Sequence, residues 1–534
     1  MELSTRNIQT QGVICRSDLQ ITLENDVNVP DTKPDIEQLI KTQGSVFLTG
    51  ISPGNGKVTL RGYLSFCLLY LTTEDLRPVH NMKGQIPFEE SINMDGLIPD
   101  KEVMCHFDLE DCQTNVINSR KVSVRAIVSI HCCQENQQAV TAGIDIVASD
   151  ASRAEMEQFS APDGLHKHFN QFSMTHLTEQ KKDVLRIRDE LSLPKGKPSV
   201  DTILYYEMNP QNLQNRIIES GVRFLGDLQL FLLYIPENEE RRLEYLETEF
   251  PFDVTVQCEN ASEDMISDIE ILNAEKELEI REDEDGENRI LELELNLNLN
   301  MKFYQNETFH FLEDAYSTAC TLQLDKEMIT TTKLLMKNQS VVRIADRIHI
   351  TENEDTILQI CNATGNVQID EQEITNDGIA LEGVVDLDIL YITENDDRPL
   401  ATAKGTIPFT HTIEIKGIQP EDDYELQSAI SQISIMMLDN QEVEVKVILN
   451  LCAFVFTHGN QEIITQIQTL PLDMEKIQAM PGLVGFIVQK EDSLWNIAKT
   501  YNTTIESIME LNHLENENVK PGDRLLLLKQ VDGI

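Results

Sequence analysis

Apolar and polar residues alternate along much of this chain with a period of two. Val58, Leu60, Leu64, Phe66, Leu68 and Tyr70 fall on one face of a single stretch, and Val122, Val124, Ala126, Val128 and Ile130 do the same. Leu291, Leu293, Leu295, Leu297 and Leu299 alternate with Glu and Asn, and Val443, Val445, Val447 and Leu449 repeat the pattern. This period places one face of an extended strand against a core and the other in water, the mark of antiparallel rather than buried parallel sheet. Two stretches depart from it. Residues 152–182, with Met156, Phe159, Phe169 and Phe172 among polar residues, read as a helical lead-in. Residues 466–481, with Leu470-Pro471, Met474, Ile477 and Pro481, read as a link, also more helical than extended.

The alternating stretches recur as a unit. Gly62, Tyr70 and Pro87-Phe88 form one set, Gly226, Tyr234 and Pro251-Phe252 a second, and Gly383, Tyr391 and Pro408-Phe409 a third. Gly precedes Tyr by 8 residues and Tyr precedes Phe by 18 in every set, with offsets of 164 and then 157 between copies. Upstream, Pro30 and Pro34 correspond to Pro194 and Pro198, whereas the third copy has Thr351 and Asp355 there. Copy two carries extra residues around Asp283-Glu284-Asp285-Gly286. A glycine fixed within a strand implies a bulge or a close backbone approach, and a proline suits an edge strand or a strand start. Each copy is therefore expected to be an antiparallel β-sandwich or open barrel. The division that follows is 1–150, 151–315 with the helical lead-in, 316–465, a linker over 466–483, and a small last unit over 484–529.

The last unit has a different pattern. Phe486 to Val488 is a short apolar strand. Asp492 and Ser493 can cap a helix starting near Leu494, with Leu494, Ile497, Ala498 and Tyr501 at helical spacing. Thr504 can cap a second helix, whose apolar side holds Ile505, Ile508, Met509 and Leu511. Pro521-Gly522-Asp523 makes a turn before the closing strand, Leu525 to Leu528. The segment resembles a LysM domain through Val488, Asp492-Ser493-Leu494, Ile497-Ala498, Tyr501, Thr504, Asn512 and Pro521-Gly522. That resemblance implies a βααβ fold with a binding groove between two loops, and it makes Asp492, Ser493, Leu494, Trp495, Asn512 and Leu514 the candidates for holding a glycan or a protein partner. Glu491 stands where the family usually has Gly, at the edge of the sugar groove, and a charged side chain there argues against ordinary glycan binding while leaving the fold intact. Asp492 and Ser493 also have a plain capping role, and Trp495, the single tryptophan, can pack on a core or serve as an interface anchor.

Composition narrows the function. A chain of 534 residues exceeds one core and suggests three to five domains. Its net charge of −48, from 43 basic and 91 acidic residues, argues against sequence-independent binding to nucleic acid or anionic membrane and permits a basic partner. The polar start, Met1 to Asn7, has no secretory signal pattern, and no window approaches eighteen uninterrupted apolar residues, so neither export nor membrane insertion is expected. Ten scattered cysteines then read as reduced thiols.

Candidate chemistry is sparse. Gly50 to Val58 has one residue too many before Gly56-Lys57 for a phosphate loop, and reads as a hairpin turn. Asp283, Asp285, Gly286 and Glu292 sit at calcium-loop positions, but Arg281 occupies the first ligand position and strands flank the loop; Asp285-Gly286 reads as a hairpin turn. Cys132-Cys133, Cys105, Cys112 and the pair His166 and His168 lack any Cys-x-x-Cys partner, and read as buried or incidental thiols and solvent histidines. No acidic residue is fixed in all three frames, so no catalytic constellation emerges, and no metal or cofactor is expected.

The whole arrangement is mainly β: three repeated antiparallel domains in tandem, followed by the small βααβ unit. It resembles the SPOCS-domain proteins of spore-forming Firmicutes, on the Gly-x7-Tyr unit, the following Pro-Phe and the terminal LysM segment. The resemblance implies a non-enzymatic scaffold of spore-coat morphogenesis in the mother-cell cytoplasm, at the forespore surface. There the LysM segment would engage a coat morphogenetic ATPase, and the β repeats other coat proteins. Two rival readings stay open: a binder of peptidoglycan or N-acetylglucosamine oligomers in cortex or wall, and a wall hydrolase with a LysM tail.

Overall fold

In a computed structural model the chain is described over residues 1–73, 77–147, 164–237, 243–350, 356–395 and 397–529. Each copy contributes six antiparallel strands. They are β1 (Glu2–Asn28), β2 (Gln38–Pro53), β3 (Lys57–Leu71), β4 (Val79–Asn93), β5 (Met104–Asn118) and β6 (Lys121–Val147) in the first. The second has β7 (Leu165–Ser192), β8 (Val200–Ile218), β9 (Gly221–Pro236), β10 (Glu244–Gln257), β11 (Ile266–Glu282) and β12 (Asn288–Ser317). The third has β13 (Thr321–His349), β14 (Ile357–Thr375), β15 (Gly378–Thr393), β16 (Leu400–Glu414), β17 (Asp423–Met437) and β18 (Glu442–Leu470). In every copy the first, sixth and fifth strands make one sheet in that order, and the second, third and fourth make another. The alternating positions Val58 to Tyr70 and Val122 to Ile130 face each other across the first sandwich, and the other two copies build their cores in the same way.

The repeated residues explain themselves in the register. Gly62 pairs with Phe88, Gly226 lies opposite Phe252, and Gly383 pairs with Phe409. On its other side each glycine meets a bulge in the neighbouring strand, at Leu48/Gly50, Gln211/Gln214 and Ile369/Glu371. A Cβ on Gly62 would lie 2.4 Å from the Phe47 carbonyl oxygen and 2.6 Å from the Phe88 ring, and one on Gly383 would lie 2.3 Å from the Gln368 carbonyl oxygen. Both expected causes, the bulge and the close approach, therefore act together. Pro87, Pro251 and Pro408 lie on β4, β10 and β16, each at the edge of its three-stranded sheet, where no ladder bond is lost. The hydroxyl of Tyr70 donates to the Pro34 carbonyl (3.2 Å) and that of Tyr234 to the Pro198 carbonyl (3.1 Å). Arg120 donates to the carbonyls of Val29, Pro30 and Lys33, and Arg289 to those of Leu193, Pro194 and Lys197. The paired prolines thus mark a turn closed by a buried Tyr and an Arg. Residues 351–355, which include Thr351 and Asp355, lie outside the described residues.

The helical lead-in over 152–182 is overturned where it is described. Leu165 to Lys182 belongs to β7, a strand of 28 residues, and residues 148–163, with Met156 and Phe159, lie outside the described part. β7 is held by pairing with β12 along its whole length, from Ser192 opposite Ile290 to Leu165 opposite Ser317, and that ladder overrides a weak local preference. The link contains one short helix, α1 (Met474–Ala479), after β18 has run to Leu470.

The three sandwiches are not separate beads. The sequence runs Leu68-Leu69-Tyr70-Leu71, Leu232-Leu233-Tyr234-Ile235 and Ile389-Leu390-Tyr391-Ile392 abandon alternation. An uninterrupted apolar run signals burial on both faces. One face serves the sandwich. The other joins Ile40, Leu69 and Leu71 to Leu204, Phe231 and Leu233 and to Cys361, Leu390 and Leu400 in a single cluster drawn from all three copies. The outer strands do the same further along. β1, β6, β7, β12, β13 and β18 have 27 to 30 residues, about five times a common strand length. Each pair carries a bulge at the same register, at Val13/Cys15, Phe303/Tyr304 and Leu334/Met336. Beyond it the pairs meet, burying Ile8, Ala142, Phe309, Phe311, Ile329 and Ile463 in one cluster and Ile146, Leu312 and Ile464 in another.

Candidate binding site

The last unit consists of β19 (Leu483–Ile487), α2 (Leu494–Thr500), α3 (Ile505–Asn512) and β20 (Arg524–Leu528), with β19 antiparallel to β20. Ser493 is the N-cap of α2, its Oγ accepting from the Asn496 N–H (3.1 Å), and Thr504 caps α3 by accepting from the Ser507 N–H (3.0 Å). The helix α3 stops at His513, which takes a left-handed conformation with φ 55°. Val488, Leu494, Ile497, Ala498, Ile508, Leu525 and Leu527 form the small core. It is completed from outside the unit by Tyr316 of β12, which is 5% exposed.

The predicted site residues fall into three groups. The polar candidates are committed to local backbone. Asp492 Oδ2 accepts from the Gln489 N–H (2.7 Å) and Ser493 caps α2. The Asn512 side chain donates to the Ile508 and Leu526 carbonyls (2.8 Å each) and accepts from the Leu526 N–H (2.6 Å), stitching the end of α3 to β20. Leu494 is buried, and Leu514 packs half-buried against the same core. Trp495 alone reaches out of the unit, onto the far end of the β7–β12 pair.

There the indole N–H donates to Asp314 Oδ2 (2.8 Å), and Lys499, one helical turn on, donates to both oxygens of the same carboxylate (2.7 and 2.8 Å). The Trp495 ring meets Tyr316 edge-on (5.0 Å between centroids) and lies 5.1 Å from His168, and His166 stacks on Tyr316 at 4.9 Å. The Tyr316 hydroxyl donates to the Thr503 carbonyl (3.0 Å). Burial tends to raise the Asp314 pKa, but the hydrogen bonds from Lys499 and Trp495 outweigh it and hold the carboxyl below its usual value. Lys529 fastens the other side, donating to the Ile477 and Met480 carbonyls at the C-terminal end of α1.

Asp314, Tyr316, Lys499, His166 and His168 were not legible as one site. Of the two expected solvent histidines, His168 is exposed and His166 is half-buried against the Tyr316 ring; they lie directly across the β7–β12 ladder from Asp314 and Tyr316. The signal was their spacing of two, which on a strand puts both rings on one face but on a helix separates them. Among the described residues no group of His, Cys, Asp and Glu is arranged to hold a metal ion, and no helix is long and apolar enough to cross a membrane.

The family model described as SipL, SPOCS domain matches this chain three times, at residues 35–117, 199–281 and 356–438, and the LysM domain model matches residues 486–527. Each of the three matches spans the second to fifth strands of a copy and omits the long first and sixth. No curated protein and no solved structure matches the chain.

Proposed function

Since the chain belongs to the SipL-type proteins, built of SPOCS domains with a C-terminal LysM domain, we propose that it is a scaffold of endospore coat assembly, docking coat layers to the forespore surface. SPOCS and LysM domains are non-catalytic binding modules. In this reading the LysM domain engages a coat morphogenetic ATPase, the SPOCS domains contact other coat proteins, and the chain works in the mother-cell cytoplasm. The three sandwiches and the terminal unit are its domains, divided near 1–150, 151–315, 316–465 and 484–529.

The observation that carries the protein-partner reading is the state of the groove candidates. The side chains of Asp492, Ser493 and Asn512 hold their own backbone, so they offer a sugar few free donors and acceptors. Glycan recognition through polar groups needs them unspent. Of the six residues assigned to binding, Ser493 is exposed, Leu494 acts from the core, and Asp492, Trp495, Asn512 and Leu514 are half-buried. A glycan-binding role keeps one observation in its favour, the LysM match itself over residues 486–527.

The fused cores also set how the scaffold works. Contacts presented by one body are pre-oriented, so a second contact forms at a high effective concentration without ordering a linker. The test deletes residues 481–534 in sporulating cells and titrates the purified full chain with chitin oligomers and with the coat ATPase of the same organism. Loss of the deleted chain from the forespore surface, and ATPase binding without a sugar response, are expected. Retained localisation overturns ATPase docking through the LysM domain, and sugar binding alone moves the chain to cortex or wall.

A further inference from the structure

Ten cysteines are unbridged, yet two of them touch. Cys105 on β5 and Cys132 on β6 are direct partners in the antiparallel ladder, and their Sγ atoms lie 2.9 Å apart. This is the one sulfur–sulfur contact among the described residues that the geometry of a ladder enforces. Directly opposed residues have Cα atoms about 4.5 to 5.5 Å apart, inside the range of about 4.4 to 6.8 Å that a disulfide accepts. The sulfurs need only close from 2.9 Å to the disulfide length of about 2 Å.

The fold does not require sulfur here. The same register position holds Ile269 opposite Met301 in the second copy and Leu426 opposite Ala453 in the third. Two unrelated apolar pairs fill it, so packing alone leaves the choice open, and only the first copy has two thiols. Access is also uneven. Cys132 is 2% exposed, while Cys105 is half-buried on β5, the edge strand of its sheet. A small oxidant can reach the pair from that edge, and bulk solvent does not surround the product.

We propose that Cys105 and Cys132 form a dithiol–disulfide site, closed by hydrogen peroxide, that staples the edge strand β5 to β6. The thiolate of one residue attacks a peroxide oxygen. The O–O bond breaks, one oxygen stays on sulfur as a sulfenic acid, and the other leaves as hydroxide, which takes up a proton to become water. The second sulfur then attacks the sulfenic sulfur, the S–S bond forms, and a second water leaves with the remaining thiol proton. Two thiols are oxidised by two electrons and one peroxide is reduced. Cys133 follows Cys132 on β6, stands opposite Met104 rather than Cys105, and points to the other face of the sheet, which leaves it outside the exchange. The site goes beyond the scaffold reading and stands or falls separately from it.

The test uses the full chain, reduced and then exposed to hydrogen peroxide, blocked with an alkylating reagent and mapped by mass spectrometry without reduction. Expected is a cross-linked peptide pair joining Cys105 to Cys132 that forms before any other, with a higher denaturant midpoint than the reduced chain. Cys133→Ser keeps both results. Cys105→Ser loses both, and so does C105L/C132A, which installs the third copy's residues and guards against misfolding as the cause. Overturning results are a pair that stays fully alkylatable, a Cys132–Cys133 link, or oxidation that stops at a sulfinic acid on either residue.

Discussion

Replacing Asp314 by alanine should release the terminal unit from the β7–β12 pair. Two side chains of the terminal unit end on that carboxylate. The Trp495 indole bond to a carboxylate is charge-assisted, and such bonds contribute about 1.5 to 3 kcal/mol. The Lys499 pair contributes less, about 0.5 to 1 kcal/mol, because the lysine side chain is 41% exposed and solvent screens it. The Tyr316 contacts remain in the variant. The docked-to-free ratio should therefore fall by about 3 kcal/mol, roughly a hundredfold. Trp495 is the only tryptophan, so fluorescence of the intact chain reads this contact and nothing else. Asp314→Ala should shift the emission to longer wavelength and increase quenching by acrylamide, while Asp314→Asn, which keeps an acceptor oxygen for the indole, should move both by a smaller amount. The Asp314 pKa lies below its ordinary 3.8, so the ionised contact is fully present above that value and is lost as pH falls through the lower one. Undocking in the wild type should thus appear only in strong acid. Identical emission and quenching in wild type and Asp314→Ala would refute the assignment of docking energy to this carboxylate.

Other outcomes follow from the fold. Gly62→Ala and Gly383→Ala should each destabilise the chain by about 1 to 3 kcal/mol in denaturant melts, because their Cβ atoms meet fixed backbone oxygens; Gly12→Ala, with nothing within 4 Å, should be near neutral. Arg120→Ala and Arg289→Ala should each cost about 2 kcal/mol, by leaving the Val29 and Lys33 carbonyls, or those of Leu193 and Lys197, without a donor in the β1–β2 and β7–β8 turns, and limited proteolysis should find those turns opened. Asp268 sits at the junction of the second and third copies, where burial first, and then Glu425, raise its pKa to about 7 against Lys302 and Gln427. The folded chain then holds a proton that the unfolded chain releases near 3.8, so stability present in acid is lost as pH rises through 7, on the order of 4 kcal/mol from this group. Asp268→Asn should flatten that part of the stability–pH curve; an unchanged slope would rule out Asp268 as its source.

Much of the architecture was written in the period of two. The positions from Val58 to Tyr70 and from Val122 to Ile130 lie on core-facing strands because alternation and burial are the same fact seen twice. The Gly–Phe spacing revealed a cross-strand pair without revealing which strand crowds the glycine, since the bulge lies in β2, β8 and β14, where no residue type announces it. The long outer strands were harder. Phe172 lies among polar residues because β7 leaves its own sandwich there and packs into a cluster shared with the other two copies, while Phe169 stays exposed. Periodicity within one segment cannot report a neighbour several hundred residues away. The runs around Tyr70, Tyr234 and Tyr391 did report it, as apolar residues on both faces of one strand. At the terminal unit the caps, helices and core followed from sequence, but Asp314 and Tyr316 are separated from Trp495 by nearly two hundred positions, and only the fold brings them together.

The cluster shared by the three copies has a consequence for synthesis. A ribosome delivers the chain in order, so the first sandwich can close as soon as β6 has emerged. Its outer patch of Ile40, Leu69 and Leu71 meets Leu204 and Leu233 of the second copy first but is complete only once Leu390 and Leu400 are made, and Ile8 and Ala142, met first by Phe309 and Phe311, wait longer still for Ile463. For most of translation the nascent protein exhibits sticky surface that only its own unborn third copy can cover. A message truncated after the second copy would yield a product that folds locally and aggregates, and the cell must either translate this protein quickly or shelter it until its last long strand arrives.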